Sequence, residues 1–228
     1  MFVIASSKAR HEQIFLDIAA NYLISKAMRG RPALRIPNAD FHFPYNRELT
    51  AELRLAVRRE GLRFTPHILV VSVLEQRMYL HQLWGRDELF PLYSLAERFL
   101  ISTSAFGVGQ KENSNQTPLG LHRIARKIGG GYMTGTVFRG RLPVGLTWQG
   151  MADAPIAHRI LWLEGLEPGR NTGGDVDSFK RYIYIHGFGD ELTLGKPNSH
   201  GCIHMAAKDL IRLYDRVSEG TLVWIAEK

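Results

Sequence analysis

The sequence predicts a mainly β domain with a few α-helices, preceded by a helical N-terminal portion, and three observations carry that prediction. Short apolar runs rich in Val, Ile, Leu and Tyr recur from His67 onward, each bounded by glycine or polar breaks. Helical spacing of apolar residues is confined to stretches before residue 64 and to one near the C-terminus. With 45% hydrophobic residues among 228 and no low-complexity tract or internal repeat, the chain has ample apolar surface for a packed core.

Taken in order, Ile14, Phe15, Ile18, Ala19, Tyr22 and Leu23 lie on one helical face, and Leu49, Leu53, Ala56 and Val57 repeat that face between Glu48 and Glu60. The segment from Pro32 to Tyr45 between them is rich in Pro and Asn. Residues 1–64 therefore read as a helical N-terminal portion and 65–228 as the chemistry-bearing domain. Strands are expected at Ile68–Leu74, Arg77–Leu83, Phe99–Ala105, Leu121–Ala125, Ile160–Leu163, Arg181–Ile185 and Thr221–Ile225. The stretch Gly129–Lys180 is glycine-rich and weakly periodic apart from the strand at Ile160, and the loop Gly165–Ser178 is too long for a simple turn. A helix is expected from Met205 to Val217, ending before Gly220. Trp84, Trp162 and Trp224 lie in apolar runs and read as core, whereas Trp148, amid glycines, is a candidate cleft residue.

Composition narrows the function. Twenty-nine basic against 22 acidic residues give a net charge of +7, which suits acidic partners. The basic residues are scattered in ones and twos with no aromatic-interleaved stripe, so no nucleic-acid partner is expected. The longest apolar runs fall far short of the roughly 20 residues of a membrane span. At the N-terminus the apolar residues precede the charged ones, the reverse of a secretory signal, so the expected location is cytoplasmic, or the periplasm or cell envelope should a leader have been trimmed.

The chain has a single cysteine, so no intrachain disulfide can form. A lone cysteine is commonly inert core filler, but Cys202 lies in the dense run Ser199-His200-Gly201-Cys202-Ile203-His204-Met205. Ahead of the expected helix, its thiol would gain from the helix's positive end, and His186, delivered by a strand and followed by Gly187, could take its proton. Gly201 lets the chain turn and leaves amides free for an oxyanion. A rival reading is metal binding, because His200, Cys202 and His204 alternate and His186 could complete four ligands. Against it, the segment reads as turning into a helix rather than continuing extended.

His186-Gly187, about a dozen residues, Ser-His-Gly-Cys-Ile, then Met205 and Asp209 resemble the signature of the L,D-transpeptidase (YkuD) family, with supporting likeness in Ile68–Leu83, Thr117-Pro118-Leu119-Gly120 and Gly220–Ile225. The resemblance covers roughly residues 66–226. It implies a β-sandwich-like catalytic fold without metal or organic cofactor, and attack by Cys202 on the bond after diaminopimelate in peptidoglycan stem peptides. It further implies His186 as base with the Gly187 carbonyl orienting its ring, and Ser199, His200 and Gly201 shaping the pocket; Tyr184, Trp148 and His204 are candidates for substrate contact. Position 204 departs from the family, most members of which carry arginine there, and Phe188 stands where a small hydroxyl residue is usual. Arg159–Gly165 and Asn171–Gly187 resemble the cytoplasmic, hydrolytic members, which favours an L,D-carboxypeptidase over a cross-linking enzyme. A third class, a catalytically impaired peptidoglycan-binding module, is opposed by the intact Cys202 and His186.

Overall fold

The computed structural model describes residues 49–86 and 91–228, so the helix expected at Ile14–Leu23 and the Pro- and Asn-rich segment lie outside the described residues. Helix α1, Ala51–Arg59, starts where Thr50 Oγ1 accepts from Leu53 N–H at 3.3 Å, and its buried face is Leu53, Ala56 and Val57, as the spacing predicts. That face packs with Leu49 on Ile68, Tyr93, Leu121, Leu222 and Trp224. The compact unit containing the strands consequently runs Tyr45–Lys228 and includes α1.

Ten strands follow: β1 His67–Ser72, β2 Arg77–Arg86, β3 Pro91–Ser102, β4 Gly120–Ile128, β5 Thr136–Arg139, β6 Leu142–Leu146, β7 Ala157–Gly165, β8 Tyr184–Gly187, β9 Ile203–Met205 and β10 Leu222–Ala226. They form one sheet in the order β4-β10-β1-β2-β3-β9-β8-β7-β5-β6, and an extra β4–β7 pairing closes it on itself. The mainly β expectation holds, with the two walls of the expected sandwich belonging to one barrel-like sheet. Hairpin β5–β6 hangs off β7 through the Val137–Ala157 pair. Helix α2, Ala207–Arg216, packs on β7 and β8 and buries Leu210, Leu213 and Tyr214 in the main core beside Leu161, Leu163 and Ile185.

Several expectations are corrected. Residues 203–205 are extended, because β9 pairs in parallel with β8 in the register Ile185↔Ile203, His186↔His204 and Gly187↔Met205. The helix therefore begins only at Ala207, and the objection to a metal site based on an early helix falls. Its first amide is met by Glu191 Oε1, which accepts from Ala207 N–H at 2.6 Å. Strand β8 starts at Tyr184 rather than Arg181, since Tyr182 has a φ of 56°. Trp84 is 67% exposed, unlike Trp162 and Trp224, because it lies near the irregular end of β2. The hairpin β5–β6 inside the glycine-rich region was not legible as strands.

Candidate active site

Strand alternation sorts the two faces of β8 and β9. Ile185, Ile203 and Met205 enter the main core, while Tyr184 and Cys202 join a separate cluster with Phe138, Ile160 and Trp162. His186 and His204 share that second face, their rings 4.7 Å apart in edge-to-face contact. The β8–β9 pairing thus brings Tyr184, His186, Cys202 and His204, far apart in sequence, onto one wall.

His186 is buried, and its Nδ1 lies 2.8 Å from the Gly187 carbonyl oxygen. That bond puts the proton on Nδ1 and leaves Nε2 with its lone pair. Burial pushes the imidazole down to about 4 against a modest rise from the Gly187 carbonyl, so the ring is neutral near pH 7. Gly187 has no room for a side chain, since a Cβ there would strike the His158 ring and the Ala157 carbonyl.

The thiol of Cys202 is half-buried; it donates to the Tyr182 carbonyl and accepts from Tyr184 N–H, both at 3.4 Å. Burial pushes it up to about 11, opposed by the Tyr184 amide and by the Arg181 charge. The thiolate expected from a helix N-terminus is therefore not the resting form, because β9 separates Cys202 from α2. The turn before it is clipped by Ser199, whose Oγ donates to the Cys202 carbonyl at 2.6 Å and accepts from Gly201 N–H at 3.2 Å. The Gly201 amide already has an acceptor in Ser199 Oγ and is not itself free to donate to an oxyanion. Gly201 has a φ of 117°, a conformation that side chains rarely adopt.

Arg181 holds the neighbouring loop by donating to the carbonyls of Gly109, Gln110 and Gln116, the shortest bond 2.6 Å. Thr117 Oγ1 donates to the Gly201 carbonyl at 3.1 Å. His204 lies against the Phe188 ring at 4.5 Å, and burial with the neighbouring His186 and His200 pushes it down to about 3. In this pocket His204 is therefore neutral near pH 7, unlike the arginine that most members carry at this position. His200 is exposed on the loop, its ring 5.3 Å from that of Phe106. Trp148, 59% exposed, packs over Gly135 on the hairpin side. Among the described residues no group of three or more His, Cys, Asp or Glu side chains is arranged to hold a metal ion.

A family model described as the L,D-transpeptidase catalytic domain (YkuD) matches residues 66–225. The chain belongs to the L,D-transpeptidase family. No curated protein matches it in a sequence search. Solved structures similar to this L,D-transpeptidase-family chain include one of a Bdellovibrio bacteriovorus protein, at 12% identity and a TM-score of 0.46, covering 72% of this chain and 49% of that one. Another is L,D-transpeptidase 3 of Mycobacterium tuberculosis in complex with a faropenem-derived adduct, at 16% identity and a TM-score of 0.40, covering 71% and 60%. A third is the helical cell shape determining protein of Campylobacter jejuni, at 17% identity and a TM-score of 0.43, covering 72% and 48%. This chain thus spans between about half and three fifths of those chains.

Three residues beside these groups in this L,D-transpeptidase-family chain were not read as site candidates from the sequence, which left His158 as incidental. His158 occupies an irregularity in the β7–β8 pairing with a φ of 71°, accepts from Gly135 N–H at 2.9 Å and bonds the Phe188 backbone, so it backs His186-Gly187. Arg181 supplies positive charge beside the thiol. Arg141, at the tip of β5–β6, donates to Tyr184 Oη at 3.3 Å. None had a local signal, because each is placed by strand pairing or by a turn. In the loop before β8, Asp177 is a turn cap: its carboxylate accepts from the amides of Gly173, Phe179 and Lys180 at 3.0 Å.

Proposed function

We propose that this L,D-transpeptidase-family protein is a cysteine acyltransferase acting on peptidoglycan stem peptides at the diaminopimelate–D-alanine bond. The observation that carries the reading is the shared wall of Tyr184, His186, Cys202 and His204, with the His186 Nδ1 proton committed to Gly187 and Nε2 available as a base. Both thiol and imidazole are neutral at rest, so proton transfer accompanies attack instead of preceding it. The Cys202 Sγ leaves its bond to the Tyr182 carbonyl, attacks the scissile carbonyl carbon and passes its proton to His186 Nε2. The tetrahedral oxyanion collapses, the C–N bond breaks, the leaving D-alanine amine takes the proton from His186, and a thioester remains on Cys202. An acceptor then attacks the thioester and returns the thiol.

If the acceptor is water the outcome is an L,D-carboxypeptidase that trims tetrapeptides; if it is the amine of a second stem, the outcome is a cross-link. The likeness of Arg159–Gly165 and Asn171–Gly187 to hydrolytic members favours water. Ser199 shapes the cysteine turn, Gly201 permits it, and Tyr184 contacts substrate through its ring. The test is incubation with muropeptides followed by mass spectrometry. Wild type is expected to release D-alanine from a diaminopimelate tetrapeptide, with a thioester adduct on Cys202, and Cys202→Ala to lose at least a thousandfold in rate. Full activity in Cys202→Ala would sink the mechanism, and cross-linked dimers in place of tripeptide would overturn the hydrolytic assignment alone.

A further inference from the structure

Arg141 is the second residue of the two-residue turn joining β5 and β6, where Arg139 pairs with Leu142. Both turn residues have positive φ, 57° at Gly140 and 70° at Arg141, as a type I′ turn requires. Such a position favours glycine or asparagine, so an arginine there sits at a modest backbone cost. Its guanidinium lies over the faces of Trp162, 4.9 Å from the centroid, and Tyr182, at 5.2 Å. Trp162 is itself fixed, stacked on Phe179 with centroids 4.0 Å apart and donating from Nε1 to the Phe179 carbonyl at 3.0 Å.

The same two tyrosines hold the thiol. Tyr184 N–H donates to Cys202 Sγ and the Tyr182 carbonyl accepts from it, while the Tyr184 hydroxyl accepts from Arg141. Hairpin tip and nucleophile therefore share one aromatic shelf. Stacking on ring faces leaves the in-plane N–H donors of a guanidinium available, and this fork matches a carboxylate. Arg181 has spent donors on three loop carbonyls, and among the described residues no carboxylate pairs with Arg141.

We propose that Arg141 is a specificity residue that binds a carboxylate of the stem peptide presented to Cys202 and so favours the free acid over the amidated peptide. The inference rests on the function proposed above. It makes the hairpin tip, rather than position 204, the source of charge for substrate recognition.

The test compares kcat/KM for a tetrapeptide with free carboxylates against peptides amidated singly at the diaminopimelate side-chain carboxyl or at the D-glutamate α-carboxyl, which identifies the carboxylate read. Wild type is expected to prefer the free acid over one of the amides about tenfold or more, expressed mainly in KM. Arg141→Asn, which suits the turn and should fold at least as well, is expected to erase that preference, and Arg141→Lys to retain part of it. An unchanged preference in Arg141→Asn, or equal losses on all three peptides, overturns the inference. A wild type that turns over none of the peptides overturns the function reading and this inference together; Cys202-dependent turnover with selectivity unaltered in Arg141→Asn overturns this inference alone.

Discussion

At the scale of the residue, the ionisation of Cys202 is set by its surroundings more than by its neighbours in sequence. An apolar cluster on one side disfavours the thiolate, and the Tyr184 amide and the Arg181 charge only partly offset this, leaving the thiol near 11. The rate of alkylation of Cys202 by iodoacetamide is accordingly expected to climb with pH well past 9, without the plateau near 8 that a cysteine activated at a helix N-terminus would give. Arg181→Gln should push the midpoint higher still; a plateau near neutrality would refute the resting neutral thiol. The candidate residues in Ser199–Met205 were legible because residue types and their order are local. The neutrality of His204 was not, because it arises from Phe188 and His186 packing against it across β8 and β9.

At the scale of the element, helix α1 illustrates how an amphipathic stretch can be read from its spacing while the surface it covers cannot. Its apolar face was evident from Leu49, Leu53, Ala56 and Val57, but periodicity does not say what that face covers. It covers Ile68, Leu121, Leu222 and Trp224 on the sheet. A chain beginning at Tyr45 is therefore expected to melt cooperatively, whereas one beginning at residue 65 exposes this cluster and should lose several kcal/mol or fail to fold, as followed by circular dichroism. Equal melting of the two would remove the role given to α1. The loop Gly165–Ser178 is likewise ordered by partners outside it: Asn171 Nδ2 donates to the Leu121 carbonyl at 3.1 Å, and Glu167 Oε2 accepts from Leu121 N–H at 2.7 Å. Hairpin β5–β6 was not legible because Pro143 and Gly145, residues that ordinarily argue against a strand, fall between the alternating Leu142, Val144 and Leu146.

At the scale of the whole molecule, the closed sheet buries imidazoles in their neutral form, and this links stability to pH. Burial pushes His122 down to about 4; its Nδ1 meets the Gly120 carbonyl and its Nε2 the Ser178 hydroxyl. His186 is also held near 4 and His204 near 3. A folded-state value below the unfolded 6.5 means that the unfolded chain binds more protons in between, so the stabilisation is fully present above about 6.5 and is lost as pH falls toward 4. His122 alone accounts for about 3 kcal/mol of that loss by pH 4. Urea denaturation at pH 7, 5.5 and 4.5 should show progressively lower midpoints, and a flat profile would contradict the neutral burial of these rings.

The sequence by itself determined the family motif, His186-Gly187 with Cys202 in a Ser-His-Gly-Cys-Ile frame, the mainly β texture, and the apolar faces of both helices, because each follows from residue types at short spacing. The tertiary structure alone decided that β8 and β9 lie side by side, that thiol and imidazole rest uncharged, that α1 packs on the sheet, and that Arg141 reaches the aromatic shelf beside Cys202. The physical reason is common to all four. Strand register, desolvation and the meeting of distant side chains depend on contacts between segments remote in the chain, and the spacing of residues within any one segment does not encode them.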